Sequence, residues 1–341
     1  MNGPSIAVTE SRSPAMLHRA RLLVRALTGM LPLEVDDQVV DLALAEGVAP
    51  WLGARAAQAR ARVPAARLGP LVWEHQMCLA SNMVRRQAAS SLVERYRSAG
   101  IPVAWLKGMA MIDGIVEPGA RSMTDVDLLV PASLWEDACR LASELPGARH
   151  HGVPGRAFTA AHDYVRAFSL PSGVMLEVHR FICEASLFRI DHEGPDGIFA
   201  HAIPTASGVS VLAEGDLFLA LAAHAAKHTF QLPLRSFLDG IVLMLRGRLD
   251  FERLWRRART WRMERALRLW LQALASLAPS LSAVTDDDVV PPLAGPVWSH
   301  TSESVAWQRF VRLAWISDRP IDWTRHVATR LLLRLRDAVT G

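Results

Sequence analysis

Apolar residues in the first hundred positions recur every three to four residues, the spacing of one helix face. Leu17, Ala20, Val24 and Leu27 form one such stripe. Asp36 is placed to cap a second helix through Val39, Leu42 and Leu44. A long helix is expected over residues 70–98, stopped by Gly100 with Pro102 just beyond. The texture changes at Ile101. Residues 101–106 are an apolar run of strand length, and a small-residue helix is expected over 109–116. Residues 125–130, Asp-Val-Asp-Leu-Leu-Val, alternate and then end wholly apolar, as a buried strand does. Pro131 and Ser133 open a helix through Leu134, Ala138 and Leu141. Strand-like runs at 163–170 and 174–179 flank Pro171-Ser172-Gly173, a hairpin turn signal. The helical period returns over 214–230, 234–246, 251–259 and 263–277. A Pro-rich acidic stretch at 279–296 reads as a loop, and helices at 302–316 and 323–339 close the chain. There is no internal repeat. The pattern predicts an α+β fold, with a small mixed-sheet module at 101–212. Helices at 1–100 and a helical bundle at 213–341 flank it.

Composition narrows the class. Half of the 341 residues are hydrophobic, enough for a large core, and bulk disorder is excluded. The net charge of +4 is mild and does not by itself imply nucleic acid. Its make-up is more informative. Of 38 basic side chains only Lys107 and Lys227 are lysine, so these two positions mark places where an ammonium is wanted over a guanidinium. Cys78, Cys139 and Cys183 are far apart and form no CxxC pair. That excludes a disulfide framework or zinc ribbon and fits a reducing, cytoplasmic setting. The polar first residues carry no secretory signal. The apolar stretch at 22–33 is broken by Arg25, and no run of ~18 uncharged apolar residues occurs, so no transmembrane segment is expected.

The chemistry centres on Asp125 and Asp127. Two apart on a strand, they share one face, with Val126, Leu128 and Val130 on the other. Paired carboxylates repel unless cations sit between them, and magnesium prefers such oxygen ligands and bridges to phosphates. In the second hairpin strand Met175, Glu177 and His179 share a face. If that strand lies beside the first, Glu177 becomes a third carboxylate at two magnesium ions and the natural general base. Upstream, Lys107 and Gly108 lie where a strand gives way to a helix. Gly108 lets backbone approach phosphate oxygens, and Lys107 adds a point charge. Arg121, four residues before Asp125, is placed to neutralise a triphosphate. His224, Lys227 and His228 share one helical turn and, with Arg235, form a candidate cationic wall for nucleotide or acceptor. A zinc site there would need more ligands than are evident.

Taken together, strand–Leu-Lys-Gly–helix–Arg-Ser-Met-Thr-Asp-Val-Asp-Leu-Leu-Val, followed by Leu-Glu-Val-His, resembles the DNA polymerase β-type nucleotidyltransferase superfamily. Within it the chain is most similar to the uncharacterised bacterial nucleotidyltransferases. The likeness extends over about residues 100–280. It includes the helix Leu221-Ala-Ala-His224-Ala-Ala-Lys227-His228 and the following Arg235 and Asp239. The superfamily's usual Gly-Ser pair stands here as Lys107-Gly108. The resemblance implies transfer of a nucleoside monophosphate from an NTP, with ATP the expected donor. Asp125, Asp127 and Glu177 would hold two magnesium ions. Lys107, Gly108, Arg121, His179, His224, Lys227, His228, Arg235 and Asp239 would surround the nucleotide. The acceptor is left open among a small molecule, a glycan, a peptide and RNA. Both ammonium groups are expected to point into one cleft, opposite the carboxylates.

Two other classes compete. A glycosyltransferase also uses a DxD motif, but usually has a larger nucleotide-binding sheet before it. A non-catalytic nucleotide-binding module would retain the fold without the reaction. Asp286-Asp287-Asp288 also contains a DxD, in a proline-flanked loop without strand context. The arginines of 253–268 read as a solvated face, and Trp255 and Trp261 among them as core, rather than as an RNA surface. The basic helix at 325–336 reads the same way, with contact to a membrane surface as the alternative.

Overall fold

A computed structural model of the chain describes residues 14–29, 32–151, 164–185, 187–205, 208–284 and 316–318. Helix α1 (Pro14–Thr28) buries the Ala20, Val24 and Leu27 face. Strand β1 (Leu33–Glu34) pairs in parallel with β2 (Ala61–Arg62). Between them lie α2 (Asp37–Ala45) and α3 (Ala49–Ala57). Asp36 caps α2, its carboxylate accepting from the Val39 N–H at 2.9 Å. Helix α4 (Ala65–Ser98) starts a turn and a half before the expected residue 70. Pro70 sits in its second turn, where the missing N–H removes a single helical bond that the rest of a long helix absorbs. Gly100, at φ +68°, ends the helix in the left-handed conformation.

The sheet follows. Its strands are β3 (Ala104–Trp105), β4 (Asp125–Leu129), β5 (Arg149–His151), β6 (Val165–Ser169), β7 (Met175–His179), β8 (Ile203–Pro204) and β9 (Ser210–Val211). Their spatial order is β5-β6-β7-β4-β3-β9-β8. It is a mixed sheet, with β4 parallel to β7 and β3 parallel to β9, and the other pairs antiparallel. The β6–β7 hairpin turns through Pro171-Ser172-Gly173, and the Gly173 N–H donates to Leu170 O at 2.9 Å. Strand β3 is shorter than the run 101–106, because Ile101 and Val103 are buried but lie outside the ladder. Helix α5 (Lys107–Ile112) leads straight out of it. Helix α6 (Trp135–Ser143) lies on the apolar face of the sheet, where Val126, Leu128, Leu176 and Val178 are fully buried. The Trp135 indole donates to Val178 O at 3.0 Å and fastens α6 there, and Tyr96 of α4 donates to Ala138 O at 3.0 Å from behind.

A short α7 (Ile198–His201) precedes the C-terminal helices α8 (Glu214–Lys227), α9 (Leu234–Leu245), α10 (Phe251–Thr260) and α11 (Glu264–Leu277). Trp261 is buried, Trp255 packs at the edge of the core, and Arg257 pairs with Asp216 at 2.8 Å. Helix α1 packs against α9 and α11, so the helices before and after the sheet share one core. Arg21 donates to Ser276 O at 2.7 Å, and buried Glu46 accepts from the Leu234 N–H at 2.7 Å. All three cysteines are buried and unbridged. No helix among the described residues is long and apolar enough to cross a membrane. The decoy Asp286–Asp288, the helix expected at 323–339 and the arginines of 325–336 lie outside the described residues, as does the 302–316 helix apart from Ile316.

Candidate active site

The site begins with strand register. Strands β4 and β7 run side by side in parallel, with Asp125 opposite Met175, Asp127 opposite Glu177 and Leu129 opposite His179. Side chains alternate across a strand, so one face collects Asp125, Asp127, Glu177 and His179 and the other goes to the core. Asp127, Glu177 and His179 each bring a ligand-capable atom within 4.8 Å of the others. These are not quite the three residues expected. His179 takes the third place in the cluster, while Asp125 stands at the strand's open end, accepting from the Thr124 hydroxyl at 3.2 Å.

Lys107 does not face the carboxylates from across a cleft as expected. Its ammonium lies on them, 2.5 Å from Asp127 Oδ1 and 3.9 Å from Glu177 Oε2. The short α5 turns the Lys107 stem toward β4, and its backbone adopts φ +46°, an uncommon conformation for a side chain other than glycine or asparagine. His179, almost fully buried, donates from Nε2 to the same Asp127 Oδ1 at 2.9 Å, and Glu177 Oε2 lies 3.2 Å from that nitrogen. The charges shift accordingly. Burial alone would raise the Asp127 carboxyl, but Lys107 and His179 outweigh it and hold it well below the usual range. Burial opposes the Lys107 ammonium, and Asp127 overrides it and lifts Lys107 above its ordinary value. His179 is likewise raised, its carboxylate hydrogen bonds overcoming burial. Asp125 is raised by burial and by the nearby Asp127 charge.

A cavity of about 150 Å³ opens beside this cluster, between the sheet and helices α8, α9 and α11. Eight of the expected residues line it: Lys107, Gly108, Arg121, Asp125, Asp127, His224, Arg235 and Asp239. Their states differ from a uniform cationic wall. Arg121 is committed to Asp239, donating from Nε at 2.8 Å and from Nη2 at 2.8 Å, with a further bond to Ser122 O. Burial opposes the charge on Arg121, and Asp239 more than compensates. Arg235 has no ion pair among the described residues, and burial and Arg121 lower its pKa. His224 is pushed well below its usual range by burial and by Lys107, so it is a neutral imidazole at pH 7. Gly108 serves packing, because a Cβ there would come within 2.5 Å of the Met123 side chain.

Glu177, His179, Lys227 and His228 are not part of the cavity lining. The Lys227 ammonium donates to the Tyr164 hydroxyl and lies 4.6 Å from the centre of its ring. The Tyr164 ring is 5.9 Å from that of His179. His228 ends α8 with its ring 4.6 Å from His224.

Several residues around the site escaped the sequence reading. Thr124, Met123 and Ser236 line the cavity, and Tyr164 joins Lys227 to the His179 side. Asn82 is buried on α4, and its amide donates to Pro118 O at 2.7 Å and Arg121 O at 2.8 Å, clamping the loop that delivers Arg121. Thr124 and Ser236 neighbour residues already singled out, and adjacency was the available signal. Asn82 had one too, as an amide on the core stripe of a long helix. Tyr164 had only its rarity as one of two tyrosines.

Residues 34–279, more than two thirds of the chain, match the sequence model of a family described as uncharacterised nucleotidyltransferase. No curated protein and no solved structure matches the chain.

Proposed function

The chain belongs to the uncharacterised nucleotidyltransferase family, and from that premise we propose that it moves a nucleoside monophosphate from an NTP, with ATP the expected donor, to an acceptor hydroxyl or phosphate. The observation that carries this is the register of β4 on β7, which sets Asp127 against Glu177 beside a cavity whose lining includes Lys107 and Arg235. The donor set fits a hard divalent ion, because Asp127 and Glu177 offer carboxylate oxygens within 4.8 Å of each other, beside Lys107 and His179. Asp125, Asp127 and Glu177 would hold two magnesium ions. Such ions supply charge neutralisation for the triphosphate and a more acidic acceptor hydroxyl.

The chain's own residues do the rest. Glu177, partly exposed at the strand face, accepts the acceptor's proton. The acceptor oxygen bonds to the α-phosphorus as the bond from that phosphorus to the bridging oxygen breaks, and pyrophosphate leaves with the electron pair. His179 holds Asp127 in place through its Nε2 hydrogen bond, as groups behind metal ligands do. Arg235 is the guanidinium free to take the triphosphate, since Arg121 is already bound to Asp239. Arg121 instead fixes the loop before β4 against α9.

Incubation with each α-labelled NTP and magnesium against a hydroxyl-bearing small molecule, a glycan, a peptide and RNA tests the reading. Label on one acceptor, with one pyrophosphate released per transfer, is expected. Nucleoside diphosphate as product would move the protein to the glycosyltransferases, and nucleotide binding without label transfer to the non-catalytic modules.

A further inference from the structure

Lys107 and His179 both donate to a single oxygen, Asp127 Oδ1, at 2.5 and 2.9 Å. A divalent ion bound by that oxygen would lie in the same space as the ammonium. His179 cannot give way, because its side chain is 2% exposed and strand β7 holds it. Lys107 can. Its side chain is 25% exposed, it also reaches toward Glu177 Oε2 at 3.9 Å, and it borders the adjoining cavity. Its stem starts from the first residue of α5, whose next five residues are buried, so the backbone stays while the four-carbon stem swings.

We propose that Lys107 is a built-in counter-ion for the metal carboxylates: an arriving divalent ion displaces it, and the freed ammonium turns into the cavity to meet the triphosphate. The proposal rests on the metal-dependent reading above and adds an order of events to it. It also accounts for the lysine. In a chain with 36 arginines, a guanidinium at 107 would grip Asp127 through a planar two-pronged contact and resist displacement, whereas an ammonium is a compact charge that yields to another.

The test is Mn²⁺ binding to the full chain by titration calorimetry, without nucleotide. Lys107→Met removes the competitor and should bind Mn²⁺ more tightly, by roughly tenfold, the size of effect that neighbouring groups have on metal sites. Lys107→Arg keeps the charge and should bind Mn²⁺ more weakly than the wild type. A Lys107→Met variant that binds Mn²⁺ no more tightly than the wild type overturns the proposal. Asp127→Asn separates the two readings: if it binds Mn²⁺ like the wild type, the metal site itself is wrong. Should Lys107→Met fail to fold, the wild type serves. With only two lysines, ¹³C-lysine labelling yields two side-chain ε-carbon signals. Titrating Mg²⁺ should shift the Lys107 signal and leave Lys227 in place, and an unmoved Lys107 signal also overturns the proposal.

Discussion

Arg121 and Asp239 meet on one side of the cavity as one cation on one anion, with the guanidinium filling both carboxylate oxygens. On the other side Asp125 and Asp127, with Glu177 beside them on β7, set three carboxylates against the Lys107 ammonium and His179. Both clusters contain buried charge, but only one is balanced. The Arg121 pair has its partners in place and does structural work, joining the loop before β4 to α9. The carboxylate cluster has acids to spare and a cation on a flexible stem. Burying charge is tolerable when it is paired and hydrogen-bonded. Surplus charge of one sign is the condition for holding something of the opposite sign.

Asp127→Asn should lower turnover by about 10³-fold or more, because it removes a charge the reaction needs, while far-UV circular dichroism keeps the wild-type signature. Full pyrophosphate release from that variant would end the assignment. Arg121→Met should instead show up in stability. Leaving Asp239 buried and unpaired costs about 3–5 kcal/mol in urea unfolding, and a second change, Asp239→Leu, should recover most of it. A double variant no more stable than the single would mean that Arg121 does more than balance Asp239. Arg235→Gln sharpens the contrast between the arginines. With no ion pair among the described residues to lose, it should alter stability by no more than about 0.5 kcal/mol, yet raise the KM for NTP by roughly tenfold.

The smallest effect follows from His179. Its carboxylate partners raise its pKa above the ordinary 6.5 despite burial. Its contribution is therefore fully present below pH 6.5 and is lost as pH rises through the raised value. In buffer with chelator, the melting temperature should drift down over that interval, on the order of a degree or two for a chain of this size. His179→Gln should flatten the drift, and an unchanged slope in that variant would assign the drift to another group.

Much of this was legible in the residue pattern. The Asp36 cap, the Gly100 stop, the hairpin at Gly173 and the two acid-bearing strands all depend on local rules, the turn chemistry and two-residue alternation that neighbouring positions impose. The placement of Glu177 opposite Asp127 was a conditional expectation, because alternation names the face but not the neighbouring strand. The helical wall was legible only as a collection of cations. Sequence could not tell that Arg121 is spoken for, that His224 is neutral, or that Lys227 turns to Tyr164, because each depends on a partner dozens of residues or more away.

The chain's own order of residues thus determined the elements, the faces they present and the acids on one of those faces, since helix and strand periods act within a few residues. Tertiary structure decided the pairings. It set β7 beside β4, packed α1 against α9 and α11, and delivered Glu46 to Leu234 across 188 positions. It also put the Lys107 ammonium on Asp127 instead of across from it. Whether a buried charge is a tie or a site depends on which opposite charge folding brings within hydrogen-bond reach, and distance along the chain carries no record of that.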